Sequence, residues 1–593
     1  MYLKVVKSKG YEYLKFVESY REGREVKQRV IANLGRLDIL LKHEALIDKL
    51  FDKLNSGKYY KLDDLNSDGK ANVYNYGYKI IKKIWDSYKL DDFFVNIIKR
   101  KEIKRDYNIL KTIFSLVINR ALKSEFSKLG YFKDKDYFIG LNSDLKLHNL
   151  YDSLEILESI KEELEDYLLN RSINLFNRDL SVAFFDVTTL YFESKTQDNE
   201  TIIRDNSGNI ISKERGLRDF GLSKDFKINE TQVVLSLLID KDGIPITFDI
   251  YEGNRAETTT LLDTLDRLKN RFNLNKITIV ADRGISRWLN LYEIKQRGYE
   301  YIVAIRFKNQ QKDIEERIID KEGYNLISFN KDNGFYGYKE FIVNKTKRVK
   351  VIDKNYTLFD ENKEYHNITL THKIIATYSD KRANKDKKDR DRAIDKLQKR
   401  ISNNQAIKKS KYLKVIDQNS NDNSCNTKYE IDLSKIEQDS KYDGFYAIAA
   451  SDISINALDA IKIHKNIYEV ENSFRDLKSS LNIRPIYHFK NKRIKGHIII
   501  SFLAYFFLKN IEYRLNNSKK IQNYLKESNE TLSINKIVKA INSINAVKMK
   551  LKDEDIFIKL KHNTLASKII DIFKFKLPKN SQSKDDFFKY LNL

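Results

Sequence analysis

The chain has 593 residues and a mass of 70.1 kDa, too long for one hydrophobic core, so we expect about three or four folded units. Its 109 basic residues exceed its 84 acidic ones, giving a net charge of +25 that favours a polyanionic partner, although a lysine-rich genomic bias could also produce it. The single cysteine, Cys425, excludes a disulfide framework and a cysteine-based zinc site and fits a reducing interior.

The first two segments differ in their hydrophobic period. Residues 1–40 alternate apolar and polar side chains between glycine-containing turns, which predicts a small β-meander. Residues 41–175 change to helical spacing, as in LKTIFSLVINRAL, and carry many basic side chains. We therefore expect an N-terminal meander followed by a basic helical module, which the resemblance described below implies to be the DNA-binding module.

Residues 176–310 return to a strand period. The stretch VAFFDVTTLYF is β-branched and aromatic, and two further apolar runs are joined by Lys-Asp-Gly, which is typical of a hairpin. Helical and strand patterns then alternate. The segment predicts an α/β fold in which a mixed sheet is flanked by helices.

The remaining chain is predicted to contain three further units. Residues 311–452 hold short strand-like pieces and the charged helix KDKKDRDRAIDKLQKR, and we interpret them as a β-rich insertion domain whose helix has a solvated face. Residues 453–515 resume helical spacing and complete the core, while residues 516–593 are predicted to be a basic helical region. The apolar run Ile498 to Leu508 is too short for the roughly twenty residues of a bilayer span, so we expect a buried core helix and no membrane partner.

Two aspartates follow apolar strand sequences. Asp186 comes directly after VAFF, where a carboxylate is costly unless it is paired or binds a cation. Asp282 ends ITIVAD, at the carboxyl edge where open α/β sheets bind ligands. A turn or N-cap role for Asp186 and a helix-cap role for Asp282 are the alternative interpretations.

Glu471 lies within HKNIYEVENSFRDLKSSL, which has the spacing of one amphipathic helix. Glu471 directly follows Val470 of the apolar stripe, so it lies on the side of the helix next to that stripe, where it can face a cleft. The alternative is a surface pair with Arg475 four residues later. Together with the two aspartates, however, Glu471 completes a set of oxygen ligands suited to Mg²⁺, and two such ions about 3.5–4 Å apart support phosphoryl transfer.

At this point the sequence resembles the DDE transposases of bacterial insertion sequences, in the subgroup with a large β-rich insertion before the catalytic glutamate. Blocks in the same order carry the resemblance: VKQRVIANLGR, AFFDVTTLYFES, GLSKDFKINETQVVLSLLIDKDGIPITFDIYEGN, IVADRGI, DGFYAIAAS and YEVENSFRDLKSSLNIRPIYH. The resemblance implies a ribonuclease-H-like core and a catalytic, metal-binding triad of Asp186, Asp282 and Glu471. It also implies two Mg²⁺ ions, for which Mn²⁺ can substitute.

Related transposases carry a Tyr-Arg-Glu-Lys signature around the glutamate. Lys478 matches its lysine, whereas His464 and Ile467 replace its tyrosine and arginine. We expect Arg475 or Arg484 to take over the arginine role and His464 to contact a phosphate. The resemblance places further DNA contacts after the glutamate, although each of these residues could instead be a solvated charge: Arg484, His488, Arg493 and Lys495.

The resemblance implies a transposase that acts in the bacterial cytoplasm on nucleoid DNA. We expect it to bind the terminal inverted repeats as a homodimer, cut the double-stranded DNA and join the 3′-hydroxyl ends to target DNA. Two alternatives remain open: a ribonuclease-H-like nuclease that never joins ends, and a catalytically idle DNA-binding protein derived from a transposase.

Overall fold

A computed structural model gives the architecture of the chain. It describes residues 2–8, 10–22, 25–40, 73–123, 137–141, 146–199, 201–204, 210–214, 216–227, 229–270, 276–309, 311–330, 332–351, 364–403, 410–417, 428–551 and 554–591. Cys425 and much of the predicted helical module at 41–72 lie outside these residues.

The described strands alternate with helices along most of the chain. The strands are β1 (Tyr2–Ser8), β2 (Tyr11–Glu22), β3 (Glu25–Arg36), β4 (Val73–Asn75), β5 (Val182–Tyr191), β6 (Thr201–Arg204), β7 (Ile210–Glu214), β8 (Gln232–Asp240), β9 (Pro245–Glu252), β10 (Thr278–Ala281), β11 (Glu300–Ala304), β12 (Asn325–Asn330), β13 (Gly334–Lys350), β14 (Tyr365–Ser379), β15 (Leu413–Asp417), β16 (Lys428–Ile431), β17 (Phe445–Ala450), β18 (Asn545–Leu551), β19 (Glu554–Lys559) and β20 (Ser581–Ser583). The helices are α1 (Leu37–Leu40), α2 (Lys79–Ser87), α3 (Leu90–Arg100), α4 (Ile109–Leu122), α5 (Leu147–Ser159), α6 (Lys161–Phe176), α7 (Glu257–Asn270), α8 (Trp288–Gln296), α9 (Lys312–Ile319), α10 (Asp380–Ser402), α11 (Leu433–Ser440), α12 (Ala457–Lys465), α13 (Tyr468–Arg475), α14 (Asn491–Asn516), α15 (Lys519–Ser528), α16 (Ile534–Asn542), α17 (Thr564–Ile572) and α18 (Lys584–Tyr590).

One large mixed sheet forms the centre of the fold, which confirms the predicted α/β class. Its strand order is β12-β13-β14-β17-β11-β10-β5-β8-β9. Strands β5, β10 and β11 run parallel, whereas β8 is antiparallel to both β5 and β9. Every residue of β8 is buried, because helices and other strands cover the middle of the sheet.

Four strands of the predicted insertion extend the central sheet, whereas β15 and β16 form a separate two-stranded sheet. Strand β17 pairs with β11 on one side and with β14 on the other, so β12, β13 and β14 continue the central sheet. Pairing removes what would otherwise be an open edge at β11, and open edges are liabilities in sheet proteins. The helix α10 then follows β14 directly.

The long helix α14 is the core of the helical part of the chain. It packs against α2, α4, α5 and α16, and most of its apolar residues are buried. Its length and composition would be enough to cross a membrane, but 89% of its apolar window is buried inside the protein. Helix α14 is therefore a core helix, as its apolar sequence predicted.

The predicted single helix from His464 to Leu481 is interrupted. Helix α12 ends at Lys465, and α13 begins at Tyr468 after a tight turn in which the Ile467 N–H donates to the His464 carbonyl at 3.1 Å. A π-helical segment (Asp476–Ser480) then follows α13. The apolar stripe packs against the core on both sides of the break, with Ile463 and Ile467 half-buried and Val470 buried, which is why its periodicity looked continuous.

The C-terminal region, predicted to be helical, also contains strands. Strands β20, β19, β18 and β4 form a four-stranded antiparallel sheet, so the end of the chain pairs with residues that precede α2. Asn75 stabilises the pairing of β4 with β18, because its Nδ2 donates to the Ile541 carbonyl at 3.0 Å and to Asn545 Oδ1 at 2.9 Å. The alternating sequences NAVKMKL and EDIFIK carry the strand period that the basic composition obscured.

Candidate active site

Asp186 and Asp282 come from neighbouring parallel strands. The register pairs Phe185 of β5 with Ala281 of β10, so one more step along both strands brings Asp186 and Asp282 side by side. Adjacent strands lie about 4.8 Å apart, which is close enough for two carboxylates to share a cation. The apolar run of each strand therefore ends in a carboxylate at the same level of the sheet.

The environment of Asp186 favours its neutral form. Burial is the main reason that the pKa of Asp186 is raised to about 6, and the carboxylates of Asp282 and Glu257 act in the same direction. Lys224 and the Val187 N–H, which donates to Asp186 Oδ1 at 2.7 Å, oppose that rise only in part. Lys224 and the Val187 N–H therefore balance only part of the effect of burial on the Asp186 carboxylate.

Lys224 and Glu257 belong to this site although the sequence analysis did not select them. Lys224 Nζ donates to the Val187 carbonyl at 2.5 Å and forms an ion pair with Glu257 Oε1 at 2.9 Å. Both are single charged residues without a local pattern, and only the folding of the loop before β8 brings Lys224 to β5. The quoted block GLSKDF was the one sequence signal that included Lys224.

Glu471 approaches from the helical side. It lies exposed in the first turn of α13, a helix that packs against β5 and β8. The half-buried Tyr446 of β17 lies close enough to Glu471 to be affected by its charge. Burial raises the pKa of Tyr446, and both Asp282 and Glu471 add to that rise. Glu471 and Asp282 therefore act on the same hydroxyl group.

The donor set suits a hard divalent cation in its chemistry. Asp186, Asp282 and Glu471 offer carboxylate oxygens, which Mg²⁺ prefers, and burial of Asp186 raises its pKa. Across the described ranges, no three His, Cys, Asp or Glu side chains are spaced closely enough to hold one ion. Asp186 and Asp282 come from adjacent strands, and Glu471 is exposed on α13.

His464 is buried rather than open to solvent. Its side chain is 6% exposed and its ring centroid lies 5.7 Å from that of Tyr446. Burial, with help from Arg283, lowers the pKa of His464 to about 4, so the imidazole is neutral at physiological pH. Within the part of the chain that the structure describes, its Nε2 has no hydrogen-bond partner.

Lys478 and Arg484 share one acidic partner. Lys478 Nζ lies 3.4 Å from Asp225 Oδ1, and the Arg484 guanidinium forms an ion pair with the same carboxylate. Arg475 is exposed on α13, where its Nη2 donates to Asn472 Oδ1 at 2.6 Å. Asp225 follows Lys224 directly, so the loop that reaches Asp186 also holds two of the predicted DNA-binding cations.

The other predicted DNA contacts lie against helix α5. Arg493 Nε donates to Glu155 Oε1 at 2.6 Å, and Lys495 Nζ lies 3.4 Å from Glu158 Oε1. The His488 ring packs edge-on against Tyr151, with 5.9 Å between centroids. These three residues join the start of α14 to the helical part of the chain, and their role in DNA binding stays a prediction.

The sequence matches two families. The "IS1634 family transposase, N-terminal domain" matches residues 3–58, and the "Transposase DDE domain" matches residues 223–507, which include Asp282 and Glu471 and begin after Asp186. No curated protein matches the sequence. Among solved structures, a piggyBac transposase synaptic complex with hairpin DNA overlaps with a TM-score of 0.32 at 10% identity, covering 78% of this chain and 77% of that one.

Proposed function

The chain belongs to the DDE-type transposases of insertion sequences, and on that premise we propose that it cuts and joins DNA at the ends of its own element. The N-terminal meander and the helical module bind the terminal inverted repeats. Water attack at each end leaves a 3′-hydroxyl, and this hydroxyl then displaces one phosphodiester oxygen in the target DNA. A homodimer brings the two ends together.

The observation that carries the proposal is the register of two neighbouring parallel strands: Phe185 pairs with Ala281, and Asp186 and Asp282 are the next residues along each strand. The order β9-β8-β5-β10-β11, with β5, β10 and β11 parallel, supports a ribonuclease-H-like core around these aspartates. Mg²⁺, when bound, supplies the positive charge that activates an attacking oxygen and stabilises a leaving one. Asp186, Asp282 and Glu471 would hold the ion through their carboxylate oxygens.

Lys224 has a positioning role in this proposal. Its ammonium group lies between the Val187 carbonyl and Glu257, next to the Asp186 carboxylate. It therefore keeps Asp186 from carrying an unopposed buried charge before the cation arrives. Glu257 holds the ammonium group in that place.

The test is a cleavage and strand-transfer assay with purified protein, labelled element-end DNA and Mg²⁺. Asp186→Asn, Asp282→Asn and Glu471→Gln should each reduce both reactions to background. Matched controls are Asp179→Asn, before the other end of β5, and Glu469→Gln, on the same helix as Glu471; both should keep wild-type rates. Wild-type cutting by any triad variant would remove that residue from the assignment, and cutting without joining would identify a nuclease.

A further inference from the structure

Two cavities open beside Asp282 and are not explained by the carboxylates. The first, of about 560 Å³, lies between the ends of β10 and β11 and helix α10, and we call it the arginine groove after its lining residues Arg283, Arg306 and Arg382. The second, of about 530 Å³, is lined by Tyr446 and His464. Arg382 lines both, so the two cavities meet at its side chain.

The sheet itself brings two of the arginines together. Arg283 comes two residues after the end of β10, and Arg306 comes two residues after the end of β11. The two strands are parallel neighbours, so both arginines leave the sheet at the same edge. That edge is also where Asp282 lies, directly before Arg283.

The basic residues of the arginine groove are of two kinds. At its far end each cation has a carboxylate: Lys308 and Lys411 pair with Asp439, and Arg390 pairs with Asp443. Near Asp282 the guanidinium groups of Arg283 and Arg306 form neither a hydrogen bond nor an ion pair with any residue that the structure describes. Arg382 Nε lies 3.8 Å from Asp386 Oδ2, a long distance for an ion pair.

Tyr446 lines the second cavity, next to two arginines that line the arginine groove. The Arg382 guanidinium lies 4.7 Å from the centre of its ring and that of Arg283 lies 5.3 Å from it. Two guanidinium groups over one ring repel each other unless an anion lies between or beside them. Packing alone would explain one guanidinium group on this ring. Two guanidinium groups on the same ring, beside a cavity, indicate a site for an anion.

We propose that the arginine groove, together with Tyr446, binds a single strand of DNA next to the phosphodiester that is cut. Grooves for single strands combine cations that follow the phosphates with aromatic rings on which bases stack, and the half-buried Tyr442 also lines the groove. The inference rests on the proposed function for the identity of the strand. The inference adds a binding surface formed by helix α10 and by Arg283 and Arg306 at the edge of the sheet.

The experiment measures binding without cutting. A fluorescent single strand of about ten nucleotides, within the usual range of site sizes, is titrated with full-length protein in EDTA, and binding is followed by anisotropy at several salt concentrations. The groove variant is Arg283→Ala with Arg382→Ala. The control variant is Arg287→Ala with Arg392→Ala, which also removes two positive charges. Arg287 is exposed directly before α8, and Arg392 is exposed on α10.

The groove variant should bind the single strand about tenfold more weakly than the control variant. Two lost phosphate contacts should also lower the slope of log affinity against log salt by about 1.4, since each contact to a single strand contributes roughly 0.7. Tyr446→Phe should keep most of the affinity, and Tyr446→Leu should lose several-fold because stacking is gone. All the substituted arginines are exposed, so these variants should fold as the wild type does.

Equal losses in the groove and control variants would overturn the inference, because general charge would then explain the binding. A groove variant that weakens duplex binding but leaves single-strand binding unchanged would overturn it as well. The cleavage assay with Mg²⁺ separates this result from the proposed function. A protein that never cuts end DNA but needs Arg283 and Arg382 for single-strand binding would keep the inference and reject the proposed function.

Discussion

Replacing Asp186 with asparagine should stabilise the metal-free protein while abolishing its activity. The carboxylate is enclosed beside Asp282, and its pKa of about 6, against an ordinary 3.8, measures the penalty on its charged form. At roughly 1.4 kcal/mol for each tenfold change, that difference corresponds to about 3 kcal/mol. The asparagine side chain would carry no charge, and its oxygen could still accept the hydrogen bond from the Val187 N–H.

The pH dependence identifies the cause. Between pH 3.8 and about 6 the folded protein holds the Asp186 proton more tightly than the unfolded chain does, so the stability of the wild type falls as the pH rises through this window. The free energy of unfolding of Asp186→Asn should exceed that of the wild type by up to about 3 kcal/mol at pH 7.5. The excess should fade as the pH approaches 4.

Urea unfolding in EDTA, followed by tryptophan fluorescence at several pH values, measures this difference. Asp179→Asn is the control, because its carboxylate is exposed and has a salt bridge to Lys241 at 2.7 Å. A variant of Asp186 that is no more stable than the wild type at pH 7.5, or whose advantage is the same at pH 4, would refute the reasoning.

Two further predictions concern charge and packing. Asp225→Asn should raise the affinity for duplex DNA several-fold at low salt, because it releases Lys478 and Arg484 from their ion pairs. Two new phosphate contacts would also steepen the slope of log affinity against log salt by up to about 1.8. Anisotropy titrations measure both changes, and an unchanged affinity would argue against both cations as DNA contacts. Gly496→Ala should lower the free energy of unfolding by about 1–3 kcal/mol, because the added methyl group would lie 2.3 Å from the Leu154 carbonyl oxygen. Urea unfolding measures the loss. A variant as stable as the wild type would show that α14 and α5 can move apart.

Local sequence patterns were sufficient for the elements that carry the two aspartates. The apolar runs before Asp186 and Asp282 predicted strands, and the alternation of helices and strands predicted the α/β class, because burial on a sheet leaves a direct mark on composition. The flank position of Glu471 also followed from the apolar stripe. Each of these inferences needed only residues that are close together in the chain.

The missed features depend on contacts between distant residues. The ion pair of Lys224 with Glu257 joins a loop to the start of α7, and nothing near either residue marks it. The pairing of β14 with β17 depends on a partner far along the chain, so the insertion seemed to be a separate domain. By contrast, the alternation in EDIFIK was present in the sequence and was hidden by the many charged residues around it.

The sheet that joins β4 to the C-terminal strands has a consequence for how the protein is made. Asn75 emerges from the ribosome long before its partners Ile541 and Asn545, which lie 466 and 470 residues further along the chain. Contacts of such large sequence separation form slowly. A chain that terminates before these partners would therefore leave this part of the core open, so β4 and α2 cannot complete their packing until most of the sequence has been translated.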